Sequence, residues 1–283
     1  MMDFNMFQKV VKDNILHSLP AEYKEASVSV HAVPKVNRTL HALTVMLPDH
    51  NKAPNIYLEE MYEHYQQNED IQTTLAEVAD AVVEATKEMS KVNPVLDADK
   101  IQDNVVLCLV NSTQNEELLK DVPNRSFQDL SVIYRWVVCV DRDGMQSMII
   151  TNDFAAARGF TEEELFQHAV ENTKRICPPR VKSMQEVMAD LAVEDGMPQE
   201  ILESMGVFDE IPPEKNLWVI TNEMGINGAA SMLYEENLHK LAEQIGTDLY
   251  LLPSSIHETI AVSVEMGAPE YLAQMVHDVN MTA

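Results

Sequence analysis

Ser254-Ser255-Ile256-His257-Glu258 brings two hydroxyls, an imidazole and a carboxylate together in one short stretch. These are the residue types from which hydrolases build a nucleophile, its base and an orienting acid. Neighbours this close along a chain do not readily converge on one reacting atom, and the Gly-x-Ser-x-Gly elbow that exposes a nucleophilic serine is missing. The spacing of Ser255 and Glu258 matches a capping box, so the segment is expected to open a short helix. His257-Glu258 lacks the second histidine of a helical zinc site, because Ala261 stands in its place. Cys177 is a second candidate: Lys174, Arg175 and Arg180 lie around it in the sequence, and cationic neighbours lower a thiol pKa. No histidine is placed as its partner. The catalytic residues therefore stay undefined. The candidates are a pocket of Asn222, Ser254, Ser255, His257 and Glu258, and a reactive thiol at Cys177.

The pocket residues belong to the stretch from Lys215 to Glu265, the densest run of apolar segments in the chain and the expected core. It reads strand (KNLWVIT), turn (NEMGING), strand (AASMLY), helix (EENLHKLAEQIG), strand (TDLYLLP), short helix (SSIHET) and strand (IAVSVE). Upstream, Phe4, Phe7, Val10, Val11 and Leu16 have helical spacing, so a helix is predicted over Asp3 to Leu16. Alternation from Ala26 to Leu47 predicts a hairpin with a longer loop at Pro34 to Arg38, its His31 and His41 forming a cross-strand pair. Ile56 to Gln66 and Glu69 to Lys91 read as helices, the second with Glu69 and Asp70 in its first turn and Asn93-Pro94 as its stop.

VVLCLVN after Asn104 is a short strand and Gln114 to Lys120 a helical turn. Phe127 to Val140 and Met145 to Thr151 then form a hairpin across Asp141-Arg142-Asp143-Gly144. Tyr134-Arg135-Trp136 lies in that hairpin, either as a recognition surface or, as is usual for aromatic strand residues, packed against a helix. Thr161-Glu162-Glu163-Glu164 is a capping box, and the helix it opens ends on Lys174 and Arg175. Cys177-Pro178-Pro179 forces a break, with helical segments following around Met184 to Leu191 and Pro198 to Met205. Ala268-Pro269-Glu270 starts a final helix, expected to bury Leu272, Met275, Val276 and Val279. The order predicts an α+β fold of mainly antiparallel sheets covered by helices. Either a division at residues 1–103 and 104–283 or one continuous domain is expected. The echo between Met148-Ile149-Ile150-Thr151-Asn152 and Trp218-Val219-Ile220-Thr221-Asn222 points to two similar lobes.

Charge sets the widest bounds. The chain carries 46 acidic against 20 basic residues, a net charge of −26. Such a surface repels nucleic acid and anionic membranes, so neither is expected as a direct ligand. From Ala53 to Thr86 there is no Lys or Arg, while Glu59, Glu60, Glu63, Glu69, Asp70, Glu77, Asp80 and Glu84 accumulate. Lys and Arg are likewise missing from Ser183 to Glu214 and from Leu241 onward. Three cysteines without a CxxC indicate neither a disulfide framework nor a zinc site, and Cys108 and Cys139 are expected as inert core residues. The nine histidines form no metal motif, and the eight glycines form neither a phosphate loop nor a dinucleotide fingerprint, so no cofactor is expected. No stretch is apolar enough to span a membrane, and Met1 to Pro20 reads as an amphipathic mixture rather than a signal peptide; a cytoplasmic location follows.

The phrases LVNSTQNEELLKDVPNRSFQDLSVIYRWVV, ENTKRICPP, LWVITNEMGINGAASMLY and LYLLPSSIHETI resemble those of an uncharacterised bacterial domain-of-unknown-function family of anaerobic Gram-positive gut bacteria. The similarity runs from about Phe4 to the C-terminal segment. It implies one architecture over nearly the whole chain and no particular activity. The leading expectation is an acidic binding or regulatory protein without catalytic activity, acting on a basic protein partner. The alternatives are a hydrolase or thiol enzyme using His257 with Ser254 or Ser255, or Cys177, and a DNA mimic that occupies a nucleic-acid-binding protein.

Overall fold

The computed structural model describes residues 2–48, 50, 53–91, 98–141, 144–194, 196–197 and 211–282. The expected helix stop at Asn93-Pro94, the turn residues Arg142-Asp143 and the helix from Pro198 to Met205 lie outside them. The chain forms two compact units, Met1–Ala98 with Gln114–Leu118, and Asp99–Thr113 with Leu119–Ala283.

In the first unit, Asp3 caps helix α1 (Phe4–Ser18) by accepting the Met6 amide at 2.8 Å. Strands β1 (Ser27–Lys35) and β2 (Arg38–Met46) pair antiparallel along their whole length, and β3 (Asn55–Tyr57) adds to β2. The expected longer loop is in fact a two-residue turn, since Lys35 pairs with Arg38. Asn37 adopts a left-handed φ of 63° that asparagine tolerates. Its amide donates to Asn115 Oδ1 at 2.7 Å, and Asn115 Nδ2 returns a bond to Asn37 Oδ1 at 2.8 Å. Pro34 fits inside β1 because β1 is an edge strand, where a missing N–H is tolerated. This register also corrects the histidine pair. His31 lies opposite Ala42 and His41 opposite Ala32, so the two rings occupy opposite faces of the hairpin.

Helix α2 (Leu58–Asn68) begins later than the periodicity predicts, because Ile56 and Tyr57 are taken up by β3. Glu69 closes it at a φ of 53°, its amide donating to the Tyr65 carbonyl at 2.8 Å. Asp70 then caps α3 (Ile71–Lys91), accepting the Gln72 amide at 2.9 Å. Both acids therefore lie ahead of the first turn of α3 rather than within it. The unit closes over Phe7, Val11, Ile15, Leu43, Leu58, Val78 and Val82, all almost fully buried. Phe7 stacks on Tyr65 with ring centres 5.6 Å apart.

The second unit holds two four-stranded antiparallel sheets. After β4 (Val105–Asn111) and α4 (Glu116–Asp121), β5 (Asn124–Phe127) pairs with the start of β6 (Leu130–Asp141), and β7 (Gly144–Ile149) with its end. Phe127 thus belongs to a separate strand, turned into β6 through Gln128 at a φ of 56°. The bulge between Val137 and Cys139 leaves Cys139 exposed, against the expectation of a core thiol; Cys108 is buried in β4 as expected. Helix α5 (Asn152–Arg158) follows, and α6 (Glu162–Ile176) covers β4 through Leu165, Ala169 and Thr173, the last accepting the Leu107 amide at 2.9 Å. Thr161 and Glu164 make the predicted capping box.

The other sheet runs β10-β11-β9-β8, with β8 (Pro179–Ser183), β9 (Trp218–Asn222), β10 (Leu249–Pro253) and β11 (Thr259–Ser263). Helices α7 (Met184–Glu194), α8 (Glu235–Ile245) and α9 (Pro269–Thr282) accompany it. Strand β8 follows directly on the proline break, where the sequence reading passes to helices. The AASMLY run is a buried 3-10 turn (Gly228–Leu233) rather than a strand: Asn227 reverses the chain at a φ of 54°, and small residues fill the space against β9. The SSIHET run is the bent connection between β10 and β11, closed where Pro253 pairs with Thr259, and not a short helix. The two Thr-Asn echoes also do different work. Thr151 caps α5, whereas Asn222 ends a strand and folds a loop.

Candidate functional site

The β10–β11 connection is built from short-range hydrogen bonds. Ser255 Oγ accepts the His257 amide at 3.0 Å, and the Ser255 amide donates to the Glu258 carbonyl at 3.3 Å. Ser254 Oγ donates to the Glu258 carbonyl at 3.3 Å and lies 3.4 Å from Glu258 Oε1. The Ser-x-x-Glu spacing therefore shapes a hairpin loop in place of the expected helix cap. The hydroxyl still satisfies a nearby amide, as serines in turns do.

His257 faces the Asn222–Gly228 loop. Its Nδ1 accepts the Asn227 amide at 3.2 Å, which places the proton of a neutral ring on Nε2. Thr221 Oγ1 donates to the His257 carbonyl at 2.8 Å. Buried Asn222 spends its side chain within its own loop: Nδ2 donates to the Ile226 carbonyl at 2.8 Å, and Oδ1 accepts the amides of Met224 at 3.0 Å and Ile226 at 3.3 Å. Cys108 Sγ donates to Asn227 Oδ1 at 3.5 Å. At Gly228, which is buried, an added Cβ would overlap Thr221 Oγ1 and the His257 carbonyl and would sit 2.9 Å from the Asn222 amide nitrogen.

Asn222 and His257 are thus brought together through Thr221, Asn227 and Gly228, while Ser254 and Glu258 bond to each other across their own turn. Among the described residues no serine hydroxyl is bonded to the imidazole. The intermediaries Cys108, Thr221, Asn227 and Gly228 are not among the site candidates read from the sequence. The Asn-Gly pair, legible as a tight turn, is their one signal.

Cys177 is 2% exposed, with Sγ 3.9 Å from Met145 Sδ, and burial pushes its thiol up to about 11. The cations expected to lower it are engaged elsewhere. Lys174 pairs with Glu236 at 3.2 Å, Arg175 donates to the Asp103 carbonyl, and Arg180 pairs with Asp190 at 2.6 Å. Burial likewise pushes Cys108 up to about 11.

A further polar cluster clamps β5 and β6 to the start of α6. Arg125 straddles Glu162 with bonds of 3.0 and 2.9 Å, also pairs with Glu163, and lies 3.9 Å above the Phe166 ring. The buried Tyr134 hydroxyl donates to Glu162. Desolvation, with that bond, holds Tyr134 far above its usual range. In the first unit a hollow of about 400 Å³ is lined by Glu22, Tyr23, Leu47, Pro48, His50, Thr86 and Lys87, none of them candidates from the sequence.

Among the described residues no three His, Cys, Asp or Glu side chains are gathered as metal ligands, and no helix is long and apolar enough to cross a membrane. On α2 and α3, Glu60, Glu63, Glu69, Asp70, Asp80 and Glu84 are exposed. Two acids of the same run turn to histidines: Glu59 lies 2.9 Å from His41 and Glu77 3.4 Å from His64.

Fold and loop together define an α+β protein whose antiparallel sheets are covered by helices and whose β10–β11 connection is hydrogen-bonded within itself and to the Asn222–Gly228 loop. A family of unknown function, DUF5688, matches residues 4–283, and the chain belongs to that family. No curated protein and no solved structure matches it.

Proposed function

We propose that this protein is a cytoplasmic binding or regulatory protein that docks a basic protein partner through an acidic surface and carries out no chemistry of its own. The carrying observation is the α2–α3 surface, where Glu60, Glu63, Glu69, Asp70, Asp80 and Glu84 are exposed along a run, Ala53 to Thr86, without a lysine or arginine. Such a concentration of one sign raises the local density of an oppositely charged partner and speeds encounter. The candidate pocket supports the same reading, because its polar groups are bonded to one another. The histidine nitrogen that would act as a base already accepts a backbone amide.

The test is a pull-down of the tagged chain from its own cell extract, washed at low and high salt. It is run beside a variant carrying Glu60→Gln, Glu63→Gln, Asp80→Asn and Glu84→Gln. A basic protein retained at low salt, released at high salt and depleted by the variant is the expected result. A nucleic-acid-binding protein in that fraction would make the face a phosphate mimic. Turnover of any substrate that disappears on His257→Ala would overturn the proposal.

A further inference from the structure

Helix α9 turns Leu272, 5% exposed, to its sheet, while on the flank of that side Tyr271 is 69% and Met275, expected from the sequence to be buried, 40% exposed one turn apart. Met266, 39% exposed, precedes the helix. Gly267 between them has no side chain, and a Cβ there would lie 3.8 Å from Tyr271 Cδ1, so the tyrosine ring lies over Gly267. Tyr271 and Met275 form an apolar strip along one flank of the helix, and exposed Met266 lies just ahead of its start. Exposed Glu265 and Glu270 lie at its start and exposed Asp278, which accepts Gln274 Nε2 at 2.6 Å, at its end, and the chain has no lysine or arginine from Leu241 onward.

We propose that this strip seats a basic amphipathic helix of a partner protein, its apolar side on Met266, Tyr271 and Met275 and its lysines or arginines against Glu265, Glu270 and Asp278. The inference rests on the reading that the protein captures a basic partner, and it adds the partner's form and its anchor. A strip one helix face wide, with contacts at i and i+4, matches an amphipathic helix laid alongside. Tyrosine and methionine are enriched at the anchoring centre of interfaces, and methionine adapts its shape to the side chain it meets. Charge selects the occupant. A second copy would bring the same acidic rim against itself on a chain of net charge −26, and an anionic lipid surface would be repelled in the same way.

Two fluorescent synthetic peptides of equal length and charge test this on the full chain. One carries lysines with leucines at helical spacing; the other has every leucine replaced by serine. Anisotropy titrations are expected to show the leucine peptide binding at least about tenfold more tightly. Tyr271→Ala and Met275→Ser should each remove roughly that margin while leaving the melting temperature unchanged, both side chains being exposed. If neither variant alters leucine-peptide affinity but the α2–α3 charge variant does, the α9 site is overturned and the acidic docking surface stands. If neither peptide binds at low salt, both fall. A dimer in sedimentation that dissociates on Tyr271→Ala would give the strip to a second copy and overturn the proposal.

Discussion

Gly228 shows how little freedom the candidate loop has. The atoms its Cβ would meet are a backbone carbonyl, a backbone amide and the Thr221 hydroxyl, which itself donates to that carbonyl. None can withdraw without opening the loop, so Gly228→Ala should lower stability by about 3 kcal/mol, the upper end of an overpacking penalty. A urea titration measures it, and a loss below about 1 kcal/mol would mean the loop is looser than drawn. The thiols give a second prediction at this scale. Cys139 is exposed and Cys108 and Cys177 are buried, so iodoacetamide should label one site quickly in the native protein, and Cys139→Ser should abolish that fast phase. Burial raises the two inner thiols from 9.0 to about 11. A folded pKa above the unfolded one means the contribution is intact below pH 9 and is lost as pH rises toward 11. The urea midpoint should therefore fall across that window, and less steeply in Cys177→Ala. A flat midpoint would argue against buried thiols.

At the scale of elements, what could be read from sequence was what closes locally. The capping box of α6 needs only Thr161 and Glu164, and it formed as read. The same Ser-x-x-Glu logic failed at Ser255. There the deciding interaction is the pairing of β10 with β11, fixed by strands on both sides and invisible to a four-residue pattern. Strand β8 was missed because Pro179 opens it and its ladder lies with distant β9; β5 was missed because the αL residue that turns it into β6 is Gln128, which carries no turn signal. Asn222 and His257 stand on facing loops, and the residues that join them, Thr221, Asn227 and Cys108, come together only through tertiary packing. The α6 cap is testable. Thr161→Ala should cost about 1 kcal/mol near neutral pH. The Thr161 amide, then its hydroxyl, holds the Glu164 carboxyl below its usual range, so this contribution is present above the unfolded pKa and lost as pH falls through the folded one. The penalty, read from urea midpoints, should accordingly shrink toward acid pH. A penalty that grows there would contradict the cap geometry.

At the scale of the whole molecule the governing quantity is charge. The basic residues near the acids are largely committed: Arg125 to Glu162 and Glu163, Lys174 to Glu236, Arg180 and Lys182 to Asp190. Apart from the bidentate Arg125–Glu162 clamp these are largely exposed pairs, each worth little, and together they leave a net −26 whose members repel one another in the folded state more than in an expanded chain. Salt should therefore stabilise this protein. Raising NaCl from about 0.01 M to about 0.1 M shortens the screening length from about 30 Å to about 10 Å. That weakens repulsion between distant carboxylates more than it weakens close pairs. The urea midpoint should rise over that range, urea being uncharged and so leaving the screening to the salt. The same titration should weaken capture of a basic partner, because there the long-range attraction is what salt removes. Opposite slopes for stability and for binding are the expected signature of an acidic docking protein. A midpoint that falls with salt would show that the ion pairs outweigh the repulsion, and binding that does not weaken would remove the acidic surface as its cause.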